Sequence, residues 1–237
     1  LFKLKKAGIS CEVSEINKKG VELSRAVCGD SLVFASMGPT GEFIKPLGTI
    51  TTKEMISAFK QQVNAFVEGQ VDGIIIETMT DLNEAKCALS AVKEISNLVA
   101  AVSMTFEKGA HGFATIMGIT PGQAATELEK AGADIVGSNC GSGIEDLTEI
   151  AREMHDVVSL PLWIKPNAGT ARLEKGETVY PDSPVHMSGF VGPLLKCGVK
   201  VIGGCCGTTP EHIRLISETV KLCMSLPDSF PRSSRRT

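Results

Sequence analysis

Short apolar runs recur along the chain, each four or five residues long and almost continuously apolar. Such runs are typical of strands that are buried on both faces of a sheet. They occupy residues 32–35, 73–76, 98–102, 134–137, 161–164 and 199–202. Segments with helical spacing of apolar residues alternate with these runs, at residues 52–68, 81–95, 122–131, 144–157, 184–197 and 210–224.

Local signals support several of the predicted helix ends. Thr51 followed by Glu54 predicts a capping box, and Asp81 is placed to cap the next helix. Thr209 before Pro210 predicts an N-cap with proline at the first helical position. Glycines that end helices follow three of the segments, at Gly69, Gly132 and Gly198. The alternation therefore predicts six βα units and a parallel sheet.

Six such units fit either an open doubly wound sheet or part of an eight-unit barrel. No Gly-x-Gly-x-x-Gly follows the first predicted strand, which disfavours a dinucleotide-binding fold. The glycine-rich stretch at residues 203–208 lacks the lysine and the spacing of a phosphate-binding loop. Periodicity alone leaves both architectures open.

Composition and charge narrow the class of protein. The chain has 237 residues, 43% of them hydrophobic, which is enough for one large core. With 24 basic and 27 acidic residues it lacks the positive charge typical of nucleic-acid binding, and no apolar run reaches the length of a membrane span. We expect a cytoplasmic protein with one domain over residues 1–226, lacking its natural start, and a tail or linker over residues 227–237.

The eight cysteines are predicted to be reduced, because the chain is long and lacks a secretory signal. Cys87 and Cys223 lie in helical patterns and are expected to pack as small hydrophobic residues. We interpret Cys11, Cys28 and Cys197 in the same way.

The other three cysteines lie where chemistry is expected in a parallel α/β fold, at the carboxyl ends of strands. Cys205 and Cys206 follow the last strand, and Cys140 follows a strand two units earlier. In a closed barrel only one strand separates these ends, so three thiolates can converge and leave one open position, as in a catalytic zinc site. A vicinal pair in a metal-free tight turn fits the spacing equally well.

Two polar residues follow other strands. Glu77 ends an apolar strand, where it can bind a substrate ammonium group, act as a base, or merely cap a helix. Asn167 offers an amide at another strand end, or is a turn asparagine. The four histidines all lie away from strand ends, and a Gly-x-Ser-x-Gly motif is absent, which disfavours a hydrolase.

With these residues in view, the chain resembles the homocysteine S-methyltransferase family, and within it the branch of the cobalamin-dependent methionine synthases. The similarity extends over essentially the whole sequence. It is carried by MGPTGE at residues 37–42 with PLG at 46–48, VDGIIIET at 71–78, SNC at 138–140, PNAG at 166–169 and GGCCGTTP at 203–210.

The resemblance implies a (β/α)8 barrel whose first two strands are missing, so that the six predicted units are strands three to eight. It implies that Cys140, Cys205 and Cys206 hold Zn²⁺, with the homocysteine thiol in the fourth position. Glu77 matches a residue that holds the substrate ammonium group. Asn167 matches an asparagine beside the metal, a ligand when substrate is absent, and Asn139 is assigned to substrate binding.

The implied function is zinc-dependent methyl transfer to homocysteine, giving methionine. The expected donor is methylcobalamin on a partner or another domain, because no Asp-x-His-x-x-Gly corrinoid motif occurs here. Betaine or S-methylmethionine is the alternative donor. A non-catalytic zinc-binding or redox-sensing barrel fragment is a second hypothesis, and a synthase or aldolase using Lys165 is a third.

Overall fold

The structure is a computed structural model that describes residues 1–225, so the predicted tail at 227–237 lies outside the described residues. The helices are α1 Phe2–Lys6, α2 Val13–Val27, α3 Thr52–Glu68, α4 Leu82–Ile95, α5 Pro121–Lys130, α6 Ile144–His155, α7 Pro184–Ser188, α8 Val191–Lys196 and α9 Pro210–Ser225. The strands are β1 Phe34–Met37, β2 Gly73–Met79, β3 Val99–Met104, β4 Glu107–Gly109, β5 Gly112–Ala114, β6 Ile135–Asn139, β7 Leu162–Lys165, β8 Arg172–Glu174, β9 Glu177–Val179 and β10 Val199–Ile202.

The predicted α/β class and the six-stranded sheet are confirmed. The strand order is β1-β2-β3-β6-β7-β10, which follows the chain, with β1 and β10 at the two ends of the order. Two antiparallel hairpins, β4–β5 and β8–β9, lie in the connections and were not predicted. An eight-stranded barrel, and with it two missing strands, stays a prediction.

The predicted helix at residues 184–197 is wrong as a single element. It is divided into α7 and α8, with Gly189 ending α7 through hydrogen bonds from its N–H to the carbonyls of Val185 and His186. Pro193 has no N–H to donate to the carbonyl of Gly189, so one continuous helix would lack that hydrogen bond. In the first turn of α8 no such donor is needed, and proline is tolerated there. Helix α2 was not predicted, and three of its large apolar side chains, those of Ile16, Leu23 and Val27, are exposed to solvent.

Two of the predicted N-terminal caps are confirmed, whereas the Thr209 cap stays a prediction, because its hydroxyl hydrogen-bonds Nδ1 of His212 at 2.8 Å. Thr51 accepts from the backbone N–H of Glu54, whose carboxylate accepts from the N–H of Thr51, so the capping box is complete. Asp81 accepts from the N–H of Asn83 at 2.8 Å and begins α4. No helix within residues 1–225 is long and apolar enough to cross a membrane.

The chain divides into two compact units. Unit 1 comprises Leu1–Met104 and Glu127–Val136. In it β1, β2 and β3 pair in parallel, with Phe34 opposite Gly73 and Gly73 opposite Val99. A Cβ at Gly73 would collide with the Phe34 ring, so glycine allows this close packing. Helix α4 packs on β2 and β3 through buried residues at helical spacing, namely Ala85, Ala88, Leu89 and Val92.

Unit 2 comprises Thr105–Thr126 and the chain from Gly137 onward. Here β7 and β10 pair in parallel, with Leu162 opposite Val199 and Ile164 opposite Ile202. Helix α6 covers β7 with one apolar face, and α8 and α9 pack against each other. The carboxyl ends of β6, β7 and β10 carry the strand-end cysteines and Asn167, which all belong to this unit.

Candidate metal centre

Cys140 occupies an unusual backbone conformation directly after β6. Its φ is 61°, in the left-handed region that L-residues other than glycine, asparagine and aspartate rarely adopt, and Gly141 follows with φ 74°. The Cys140 N–H donates to the carbonyl of Lys165 at 3.1 Å, which anchors the turn to the end of β7. The backbone therefore bends sharply at the residue that supplies the first thiol.

The vicinal cysteines after β10 are held by the loop that follows β7. The N–H of Cys205 donates to the carbonyl of Pro166 at 2.8 Å. The N–H of Cys206 donates to Oδ1 of Asn167 at 3.1 Å, and the N–H of Ala168 donates back to the carbonyl of Cys206 at 2.9 Å. These three hydrogen bonds join the Pro-Asn-Ala-Gly and Gly-Gly-Cys-Cys-Gly segments and hold the backbone that carries both vicinal cysteines.

The three sulfur atoms come together, as the metal hypothesis requires. The Sγ atoms of Cys140, Cys205 and Cys206 all lie within 4.8 Å of one another, and those of Cys140 and Cys206 are 3.9 Å apart. Thiolates that share a tetrahedral zinc ion at about 2.3 Å lie about 3.8 Å apart. Cys206 is exposed while the other two are half-buried, which leaves a side open for a fourth ligand. The donor set therefore fits Zn²⁺ with three protein ligands.

Burial raises the pKa of the Cys205 thiol to about 11, and the negative charge that Cys140 and Cys206 would carry acts in the same direction. Hydrogen bonds from the Asn139 side chain and the Cys206 backbone oppose this effect. A cation beside the Cys205 thiol would favour its ionised form.

Two asparagines flank the cluster and are buried. Asn167 uses Oδ1 to accept from the backbone of Cys206, so it braces the vicinal turn. Asn139 places its amide nitrogen 3.9 Å from the Sγ of Cys205. Both residues lie at the centre, as the sequence predicted. The substrate-binding role assigned to each stays a prediction.

Sequence reasoning missed Tyr180, which follows β9. The Cys206 side chain, burial and the negative charge that the three neighbouring thiols would carry raise the pKa of the phenol. Its ring lies against Gly207, where φ is 78° and a Cβ would collide with the ring. One signal was available, since Tyr180 is the only tyrosine in the chain and lies in the loop after a predicted strand.

Glu77 belongs to unit 1, whereas the cysteines belong to unit 2. It lies near the end of β2, and its carboxylate accepts a hydrogen bond from the Ser36 hydroxyl of β1. Thr78 follows with φ 62°, a conformation that is strained for a β-branched residue. Backbone strain therefore marks the ends of β2 and β6, two of the four strand ends that the sequence selected. The role of Glu77 toward a substrate ammonium group stays a prediction.

The cysteines outside the cluster have different environments. Cys87 and Cys197 are buried and Cys28 and Cys223 are half-buried, in keeping with packing roles. The expectation for Cys11 is wrong, because its side chain is exposed beside Glu15. All eight cysteines are free thiols in the structure.

Lys165, the residue of the third hypothesis, ends β7. Its Nζ lies 5.5 Å from the centroid of the Trp163 ring, and its stem approaches Gly203. The contact is a cation–π interaction within the strand. The synthase or aldolase role of Lys165 stays a hypothesis.

The sequence profile of the homocysteine S-methyltransferase family matches residues 1–220, nearly the whole chain. The chain therefore belongs to the homocysteine S-methyltransferase family.

Relatives in this family carry different names. Methionine synthase of Mycobacterium leprae is 26% identical over 240 residues, a match that covers 96% of this chain and 19% of that protein. Betaine–homocysteine S-methyltransferase 1 of Danio rerio is 30% identical over 224 residues, covering 86% of this chain and 54% of the relative. The chain thus spans about a fifth of the first relative and about half of the second.

Solved structures agree on the fold. The homocysteine methyltransferase MmuM of Escherichia coli, in its apo form, superposes with a TM-score of 0.69 at 20% identity, covering 87% of this chain and 73% of that one. Its metallated form gives a TM-score of 0.68 at 20% identity, covering 86% and 70%. At this identity the likeness concerns the fold alone.

Proposed function

We propose that the chain is the homocysteine-binding part of a zinc-dependent methyltransferase that converts homocysteine to methionine. The observation that carries the proposal is the convergence of three sulfur atoms from two strand ends, with an exposed side next to Cys206. A non-catalytic zinc site or a redox sensor needs the sulfurs alone. Membership of the family and the strained strand end beside Glu77 favour catalysis.

Each residue has a role that its surroundings support. Cys140, Cys205 and Cys206 would hold the metal, and Asn167 keeps the vicinal turn in place through the N–H of Cys206. Glu77 is the proposed partner of the substrate ammonium group. A bound zinc ion would supply the positive charge that keeps a substrate thiol ionised, the form of sulfur that attacks carbon. The sulfur–methyl bond then forms as the donor–methyl bond breaks, and the thiol proton passes to solvent.

The metal part of the proposal is tested by zinc stoichiometry of the reduced, purified protein. We expect a single tightly bound zinc ion per chain, which is lost in Cys205→Ala and Cys206→Ala. Cys223→Ala is the matched control, because this half-buried thiol lies on α9 away from the three-sulfur cluster. Zinc that survives loss of either vicinal thiol, or that never binds, would contradict the proposal.

We propose methylcobalamin on a separate module as the methyl donor, in a cytoplasmic enzyme. The match to methionine synthase over 96% of the chain supports this choice. Betaine is the second candidate, since betaine-dependent relatives reach 30% identity. Methionine formation should be measured with methylcobalamin, betaine and S-methylmethionine in parallel. A rate confined to betaine or S-methylmethionine would replace the cobalamin assignment and leave the metal proposal intact.

A further inference from the structure

Helix α9 begins shortly after the vicinal cysteines and carries a buried histidine, His212, in its first turn. Nδ1 of His212 lies 3.1 Å from the backbone nitrogen and 2.8 Å from the hydroxyl oxygen of Thr209. Nε2 lies 3.0 Å from the carbonyl oxygen of Asp182, in the segment between β9 and α7. Both ring nitrogens are therefore hydrogen-bonded to the main chain, in two different segments of unit 2.

The two backbone partners define where the proton of the imidazole lies. A backbone N–H can only donate a hydrogen bond, and a carbonyl oxygen can only accept one. Nδ1 therefore accepts from the N–H of Thr209, and the Thr209 hydroxyl donates to it as well. Nε2 carries the ring proton and donates it to the carbonyl of Asp182.

The bond to Asp182 closes a ring of contacts that includes Cys206. The N–H of Asp182 donates to the carbonyl of Ala168 at 2.9 Å, and the N–H of Ala168 donates to the carbonyl of Cys206 at 2.9 Å. From Cys206 the chain runs on to Thr209, whose N–H donates to His212, and His212 donates to Asp182. The segment from Cys206 to Thr209 is therefore held at both of its ends.

Capping of α9 explains only one half of this arrangement. In a capping box, a side chain in the first turn accepts from the backbone N–H of the residue before the helix, as Nδ1 of His212 does for Thr209. A cap of this kind makes no use of the second ring nitrogen. Nε2 instead donates to Asp182, which is 30 residues away in the sequence, and this long-range bond needs a different explanation.

We propose that His212 is a positioning residue of the metal centre, whose Nε2–H holds the turn of Cys205 and Cys206 in the conformation that binds the metal. The bond to Asp182 restricts this turn before the metal arrives, so less conformational freedom is lost on binding. His212 acts through the backbone and is not one of the three clustered thiols. This inference rests on the proposed function, because it requires the vicinal cysteines to bind a metal ion.

Two substitutions of His212 separate the effects of its two nitrogens. The amide oxygen of asparagine can replace Nδ1 as the acceptor for Thr209, but asparagine is too short to donate to Asp182. Glutamine places its amide nitrogen near the position of Nε2, so it can restore that donation. In competition with a chelator, His212→Asn should lower zinc affinity by about tenfold, as loss of a supporting hydrogen bond around metal ligands does. His212→Gln should restore most of that affinity.

A spectrum and a matched control accompany the affinity measurement. In the protein loaded with Co²⁺, the visible absorption reports how the thiolates surround the metal. His212→Asn should alter this spectrum, and His212→Gln should restore it. His111→Asn makes the same chemical change at an exposed histidine in the turn between β4 and β5, and it should alter neither the spectrum nor zinc affinity.

The wild-type protein offers a test that does not depend on the folding of a variant. If the bond to Asp182 strengthens metal binding, metal binding must strengthen the bond by the same factor, because the coupling is reciprocal. Nitrogen NMR should show the ring proton of His212 on Nε2. Zinc should slow the exchange of this proton with solvent by about tenfold, the factor expected for the affinity. A proton on Nδ1, or an exchange rate that zinc leaves unchanged, contradicts the inference.

The outcomes separate this inference from the proposed function. Zinc affinity that falls with asparagine and returns with glutamine supports the role of His212. Equal affinity in the wild type and both variants overturns it, as does an equal loss in both variants. In either case the metal proposal stands if Cys206→Ala abolishes zinc binding. A wild-type protein that binds no zinc overturns both.

Discussion

At the scale of single residues, the buried Glu84 carboxylate holds the loop that follows β1. It accepts from both the N–H and the hydroxyl of Thr40, at 2.7 and 2.5 Å. Burial raises the pKa of Glu84, and the hydrogen bonds from Thr40 oppose that effect only in part. The folded state therefore binds this proton more tightly than the unfolded state does. Its contribution to stability is complete below the unfolded pKa and is lost as the pH rises through the folded pKa.

Glu84→Gln should remove this pH dependence while an amide oxygen still accepts from Thr40. We expect the melting temperature of the variant to match the wild type near pH 4 and to equal or exceed it by a few degrees near pH 8. Thermal unfolding followed by circular dichroism at both pH values measures this, with Glu22→Gln on exposed α2 as the control. A variant that is clearly less stable at pH 8 would show that the charge itself is needed.

At the same scale, some residues of the site were predictable from the sequence, while backbone conformations and long-range contacts were not. Residue types and their place after strands were enough to select the three cysteines and Glu77. The left-handed backbone of Cys140 and Thr78 could not be predicted, because neither residue type favours positive φ. Tyr180 and Glu84 were missed because the residues they contact, Gly207 and Thr40, are distant in the sequence.

At the scale of elements, the capping box of α3 was predicted from the spacing of Thr51 and Glu54, and it is complete in the structure. Thr51→Ala removes the acceptor for the N–H of Glu54 and should lower the free energy of unfolding by about 1 kcal/mol. Thr52→Ala, one residue further and exposed at the first helical position, should change it little or raise it slightly. Urea denaturation of both variants tests this, and equal losses would mean that the cap contributes nothing.

Two glycines should respond oppositely to alanine. Gly207 has φ 78° and no room for a Cβ beside Tyr180, so Gly207→Ala should lower both the melting temperature and zinc retention. Gly20, in the interior of α2, has ordinary φ and open space, so Gly20→Ala should raise stability by about 0.5–1 kcal/mol. Zinc retention unaffected by Gly207→Ala would show that the vicinal turn tolerates rearrangement.

Elements that sequence reasoning misplaced have local physical causes. The division between α7 and α8 depends on Pro193, whose effect was outweighed in the sequence by an uninterrupted helical pattern. The first strand begins two residues later than predicted, because apolar Leu32 is exposed whereas Met37 is fully buried. A hydrophobic pattern shows which residues are apolar, but it does not show which of them are buried by residues distant in the sequence.

At the scale of the whole molecule, zinc should stabilise the protein unevenly, because all three thiols belong to unit 2. Hydrogen exchange with and without zinc should show increased protection at residues 137–142 and 203–208, which carry the ligands. Helix α3 in unit 1 contains none of them and should change little. Equal protection gains in both regions would mean that metal binding is coupled to folding of the entire chain.

The order of strands and helices follows from the alternation of apolar runs with helical periodicity, since burial on both faces imposes that pattern on each strand locally. The chemistry of the candidate site follows equally from residue types placed after strands. The geometry of the candidate site was decided by contacts between segments that are distant in the sequence. The hydrogen bonds between the Asn167 and Cys206 loops, the Tyr180 ring on Gly207 and the 3.9 Å sulfur separation depend on how strands pack side by side, which no local pattern encodes.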